Sequence, residues 1–268
     1  MMGLMKKNRF FGKYYKFVSD TNDVLACIIS TANEGDMLQV ILESGAHFIE
    51  DTKSITVNGD IITFNVHQDD ITIKGSLTLS DYHPLKKKVM GPFTYLPLEC
   101  KHDIYSMSHR VNGAIVINDK EIKFTNSLGY IEGDKGKNFP KKYVWYNSLM
   151  EGCTVTFAVA SIPIGFIRFN GILCFIKTKD REYYLCTYNG AKLKQVNEKQ
   201  LIIKKGKYKF ILNYDTSSGH NLKAPVKGNM SRYIKESVTT LTSYQLLYKD
   251  KVILENRNPT SSLEYMWE

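Results

Sequence analysis

The sequence lacks most of the signatures that mark an enzyme class. It has no CxxC pair, no HExxH, no His-x-His and no GxSxG elbow. Without paired cysteines a zinc ribbon has no ligand set, and five cysteines, an odd number, make no disulfide framework. Cys27, Cys174 and Cys186 lie inside apolar runs, where a thiol acts as a small buried hydrophobe. Without a serine elbow or a catalytic cysteine context, nothing supports a hydrolase. The longest apolar-leaning run, "CTVTFAVASIPIGF", is too short to span a membrane and contains Pro163. The first residues carry no sustained apolar stretch of the signal-peptide kind. The expectation is a soluble, cytoplasmic protein with at most peripheral membrane contact. No segment shows capped 3.6-residue periodicity, so helices should be few and short.

What is present is a period of two. "DMLQVILES" and "IITFNVHQDDITIKGSLTL" alternate apolar and polar residues as half-buried strands do. Asn58-Gly59 between two such runs predicts a hairpin. "AIVINDKEIKF", "CTYNGAKLKQV" and "LLYKDKVILEN" repeat the strand–turn–strand pattern. About twenty strands exceed one ordinary barrel. The chain therefore reads as all-β, with one β unit over residues 1–125 and a second over 126–268. The stretch "DYHPLKKKVMGPFTYLPLECKHDIYSMSHRVNG" reads as a long connection between sheets.

The formal net charge is +9, from 36 basic and 27 acidic residues. A basic chain can meet nucleic acid, anionic lipid or acidic ligands. A composition rich in Lys, Asn, Ile and Tyr and poor in Arg instead suggests charge spread evenly over the surface.

The stretch "GYIEGDKGKNFPKKYVWYNS", Gly129 to Ser148, crowds together three glycines, two acids and four lysines, followed by aromatics. It is not a phosphate loop: Gly136-Lys137 is followed by Asn138, and the glycine spacing fails GxxxxGK[ST]. Lysines beside Tyr143, Trp145 and Tyr146 could track a nucleic acid strand by charge and stacking. Glu132 and Asp134 in their midst favour a solvated rim, so no nucleic-acid partner is expected. Glu99, His102 and His109 match no metal-ligand signature, and no metal is expected. Glu132 and Asp134 are two apart, so on a strand both face one side together with Tyr130. A carboxyl facing an apolar cavity, such as a barrel of roughly eight strands encloses, has its pKa raised and can donate a proton. The competing reading pairs both acids with neighbouring lysines.

Several blocks together resemble the tocopherol cyclase-like family: "FFGKYYKF", "MGPFTYLPLECKHDIYSMSH", the Gly129–Ser148 block, "VASIPIGFIRFNGILC", "YYLCTYNGAK" and "LKAPVKGNMSRYIKES". The resemblance implies two tandem lipocalin-like β-barrel units and a relation to carotenoid hydratase-type proteins. It implies acid-catalysed cyclisation or hydration of an alkene in a lipophilic, isoprenoid or prenylquinol-like small molecule, without a redox cofactor. The alternative is a non-catalytic carrier for such a ligand. In the implied site Glu132 and Asp134 are the acids. Tyr130, Phe139, Trp145 and Tyr146 form walls, and Asn147, Arg168 and Asn170 orient a polar head group. Lys13, Tyr15, Glu99, His102 and Lys135 complete the lining. Two positions depart from the family pattern: Lys13 and Lys135 stand where it usually has tryptophan. A lysine beside Asp134 favours the ionised carboxylate. Either both lysines face water, or the pocket suits a different, anionic ligand.

Overall fold

The computed structural model describes residues 9–164 and 167–267, with the side chains of 164 and 167 left aside. The first eight residues, and the part of the "IPIGFI" block at 165–166, lie outside them.

The described residues form two antiparallel sheets and two short 3-10 turns, with no α-helix. The first sheet holds β1 (Phe10–Val18), β2 (Val24–Ala32), β3 (Gly35–Ile41), β4 (Ala46–Ile49), β5 (Ile55–Asn58), β6 (Ile61–His67), β7 (Thr72–Ser80), β8 (Cys100–Ile117) and β9 (Lys120–Gly136). Its order is β4-β3-β2-β1-β9-β8-β7-β6-β5. The second holds β10 (Tyr143–Met150), β11 (Cys153–Ile164), β12 (Ile167–Thr178), β13 (Glu182–Tyr184), β14 (Lys192–Val196), β15 (Gln200–Lys205), β16 (Tyr208–Asn213), β17 (His220–Val226), β18 (Asn229–Tyr248) and β19 (Lys251–Met266). Its order is β13-β12-β11-β10-β19-β18-β16-β15-β14, with β17 paired to β18. In each sheet the first and last strands pair with each other, β1 with β9 and β10 with β19. The free edges then belong to strands adjacent in sequence.

Each sheet curls around its own core. In the first, Phe17, Leu25, Val40, Phe64 and Ile115 pack together with Ile49 and Ile55 from the two edge strands. In the second, Tyr146, Phe157, Ile203, Phe210 and Leu246 do the same. Large side chains fill both interiors, as expected where a small barrel is a packed core rather than a pore. All five cysteines are free, and four are buried.

The two compact units interleave in sequence. The first takes the chain up to Lys86, then Glu99–Phe139 and Leu222–Tyr233; the second takes Lys87–Leu98, Pro140–Asn221 and Ile234 onward. The expected boundary at 125 falls within β9, which continues to Gly136. The stretch at 81–113, expected as one connection, divides: Lys87–Leu98 belongs to the second unit, where Phe93 lies 6.0 Å from Phe169 and 5.7 Å from Tyr188, and from Cys100 onward it is strand β8.

The turns follow local chemistry. Asn118 and Asp119, both at positive φ, join β8 to β9, and Lys249 and Asp250 join β18 to β19 in the same way. The Asn58-Gly59 hairpin forms one residue later than the pair suggests. Asn58 still pairs with Ile61, and the turn is Gly59-Asp60 with Gly59 at φ 58°. Glycine at the first turn position suits a type II′ hairpin, which needs positive φ only there. No helix among the described residues is long and apolar enough to cross a membrane.

Candidate active site

The site is set by the register of three neighbouring strands. In β1–β9–β8 the rungs are Gly12–Asp134–His102 and Tyr14–Glu132–Ile104, and Lys16 stands opposite Tyr130. Residues paired directly across antiparallel strands point to one side. These groups therefore share a face. The alternate residues Tyr15, Phe17 and Ile131 belong to the packed core. The acids thus lie on the side of the sheet away from the barrel interior. That face is buried nonetheless: Tyr130 and Lys16 are 0% exposed and Glu132 is 4% exposed.

On this face a histidine lies between two carboxylates. His102 Nδ1 is 3.2 Å from Asp134 Oδ1, and Nε2 is 3.5 Å from Glu132 Oε2. The Tyr130 hydroxyl donates to Glu132 Oε2 at 2.5 Å. The Cys100 thiol donates to Asp134 Oδ1 at 3.4 Å, and burial with that carboxylate pushes its pKa well up. Burial alone would lower the His102 pKa. The charges of Glu132 and Asp134, with the Asp134 hydrogen bond, outweigh it and raise the value to about 9. The imidazole is therefore an imidazolium at neutral pH. The three side chains each offer one ligand atom within 4.8 Å of the others, close enough to hold a metal ion. An ion there must displace an imidazolium proton.

Burial grades along the chain of groups. The Asp134 side chain is 22% exposed, against 10% for His102 and 5% for Glu132. Gly12, on the same rung, places no side chain over Asp134; a Cβ there would meet Ser30 only at 3.4 Å. One rung further out Phe10 stands opposite Gly136, and Phe139 packs edge-on against it at 5.4 Å. Asp134 is thus the accessible end and Glu132–Tyr130 the buried end.

Other expected residues fall elsewhere. Tyr15 faces the first core, and Lys13, also on the opposite side of β1 from Asp134, lies 5.0 Å over the Tyr105 ring. Lys135 alternates with Asp134 and is exposed, as are Lys137, Lys141 and Lys142. Glu99 is exposed too; its carbonyl accepts from the Lys137 N–H at 2.7 Å. His109 does not join His102: it lies against Gly129 and the Tyr82 ring.

In the second unit, Tyr143, Trp145 and Asn147 share the face of β10 away from the core, while Tyr146 is in the core, stacked on Phe157 at 5.2 Å. Arg168 and Asn170 on β12 are exposed. Asn147 is fully buried, with no hydrogen-bond partner at either end of its carboxamide. The Tyr143 hydroxyl donates to Glu264, which stands opposite Trp145 in the ladder. Sequence reasoning missed Lys16 and Glu264, and met Tyr143 only as an aromatic for stacking. A lysine inside the aromatic run "FFGKYYKFV" was the available signal for the first; Glu264 reaches β10 only through long-range pairing.

No family model matches the chain, and no curated protein matches it by sequence. Solved structures do match its fold. Kievitone hydratase from Nectria haematococca superposes with a TM-score of 0.56 at 10% identity, covering 97% of this chain and 90% of that one. CghA with Sch210972 gives 0.61 at 7% identity, covering 97% and 89%. An AttH-like protein from Nitrosomonas europaea gives 0.54 at 8% identity, covering 98% and 93%. The protein shares with them one all-β fold over almost its entire length.

Proposed function

We propose that the protein binds a hydrophobic small molecule of isoprenoid or prenylquinol type and protonates one of its alkenes, leading to cyclisation or hydration. The observation that carries this reading is the His102 imidazole held between Glu132 and Asp134 on a buried face. The proton rests on the His102 imidazolium; it passes to Asp134, the accessible end, as Asp134 hands a proton to the alkene. The alkene π electrons form the new C–H bond and leave a carbocation on the neighbouring carbon. A hydroxyl oxygen of the same molecule, or a water, captures it. The proton released from that oxygen returns through Asp134 to the His102 imidazole, so the acid is regenerated. Aromatic faces such as Tyr130 and Phe139 steady the cation, and the buried setting keeps competing water away. The hydratase among the structural neighbours is in keeping with the hydration branch.

Lys135 does not disarm Asp134, because it faces water; His102 is the cation that Asp134 meets. The non-catalytic carrier is favoured by one feature, the pairing of both His102 nitrogens at rest. One experiment separates the two. Purified protein is incubated with prenylated hydroquinones and polyenes, products are read by mass spectrometry, and bound ligand is read by native mass spectrometry. Asp134→Asn and His102→Gln should each cut turnover on the order of 10²- to 10⁴-fold while largely sparing binding. Turnover unchanged in both variants removes the acid mechanism. Binding without turnover in the wild type decides for the carrier.

A further inference from the structure

The outer face of the second sheet carries an unusual rung. Lys192 pairs directly with Lys204, and Lys204 with Lys209. The same rung continues through Leu247 to Val252. Like charges directly opposite in a sheet repel, yet three ammonium groups stand side by side here. The adjoining turns add Lys207 and Lys249, and β19 opens with Lys251 on the neighbouring rung, all exposed. None of these six lysines forms an ion pair among the described residues. The next rung is Ile202–Ile211–Gln245–Glu255, in which Gln245 donates to Glu255 at 2.7 Å. Next to the charged Lys249-Asp250 turn, Val252 and Ile253 are 47% and 44% exposed, while Tyr248, on the neighbouring rung with Tyr208, points to the other face.

We infer that this face docks on a membrane surface carrying anionic lipid. The lysine rung is a concentrated positive patch whose self-repulsion an anionic layer relieves. The lysine stems can lie along apolar surface while their charges reach headgroups. Val252 and Ile253 enter the headgroup–acyl boundary, where apolar side chains are favoured. A nucleic acid fits less well. The charged rung offers no aromatic platform, and base stacking needs one. This inference stands independently of the acid chemistry on the first unit.

The test is co-sedimentation of the full chain with phosphatidylcholine vesicles, with and without phosphatidylserine, across a salt series. Binding only to the phosphatidylserine vesicles, falling as salt rises, is the expected result. Lys204→Gln with Lys209→Gln should weaken it roughly 25-fold, on the order of fivefold for each lysine. These side chains lie on the outer face, and their removal relieves repulsion, so the variant should fold. Val252→Ser with Ile253→Ser should remove the part of the binding that survives high salt. No binding, equal binding to both vesicle types, or salt-sensitive capture of an oligonucleotide in place of vesicles would overturn the inference.

Discussion

His102 and His109 lie on one strand, yet their surroundings push them in opposite directions. His102 rises to about 9, because Glu132 and Asp134 outweigh its desolvation. His109 falls to about 4, because it is buried and the nearby His83 adds like charge. An unfolded chain titrates both near 6.5. The folded state keeps the His102 proton that the unfolded chain gives up above that value. Stability from His102 is therefore full below about pH 6.5 and is lost as pH rises through 9. His109 acts in the other sense. As pH falls below 6.5 the unfolded chain takes a proton that the buried ring refuses until about 4, so stability drops with acid. Each arm spans on the order of 3 kcal/mol. Urea midpoints measured across pH should peak near 6.5. His102→Gln should flatten the alkaline arm and His109→Leu the acid arm. An alkaline arm of full size in the His102 variant would show that the carboxylates do not hold that proton. Asn147 gives a different test. Its buried carboxamide lacks partners at both ends, a desolvation penalty of about 1–3 kcal/mol. Asn147→Leu should raise the melting temperature, read by thermal melts.

The β8–β9 hairpin carries the site, and its glycines are close-approach positions. A Cβ on Gly136 would lie 2.0 Å from the Glu99 carbonyl oxygen, and one on Gly129 would lie 2.1 Å from His109 Nε2. Backbone cannot swing aside and an imidazole can. Gly136→Ala should therefore destabilise by more than Gly129→Ala, with the milder change costing about 1–3 kcal/mol; chemical denaturation ranks them. Part of this element was legible beforehand. The strand–turn–strand pattern of "AIVINDKEIKF" placed the turn, and the spacing of two put Tyr130, Glu132 and Asp134 on one face. Residues 100–113, most of β8, read instead as connection, because they follow a stretch dominated by prolines and lysines. Which face meets the core was not legible. Tyr130 and Ile131 both suit a buried position, and nothing local decides between them. His102 was also out of reach as the partner of those acids. It meets Asp134 through a register that shifts between Ile104 and Ser106 and again before His109, and bulges leave little trace in composition.

The first unit is finished by a segment from late in the chain. Gln39 is fully buried, and its amide bonds the Lys223 backbone on both sides, accepting from N–H at 2.8 Å and donating to the carbonyl at 3.2 Å. Asn33 binds the Lys227 carbonyl at 3.1 Å and the Asn229 side chain at 2.6 Å, and the Phe139 N–H reaches the Pro225 carbonyl at 3.2 Å. Gln39 continues the rung Glu132–Tyr14–Ile28, so this segment covers the same face that holds the acids. Residues 1–139 alone leave that face open, with buried polar groups such as Gln39 unpaired and Lys16 and Glu132 exposed to water. Such a fragment should keep strand content by far-ultraviolet circular dichroism, yet bind a hydrophobic dye and lose near-ultraviolet signal, the marks of a loosely packed state. A natively packed 1–139 fragment with a midpoint equal to that of the full chain would mean that Leu222–Tyr233 adds nothing to the first unit. Gln39→Leu in the full chain then gives the local measure: it leaves the Lys223 N–H and carbonyl unpaired on a buried face, a loss of about 1–3 kcal/mol.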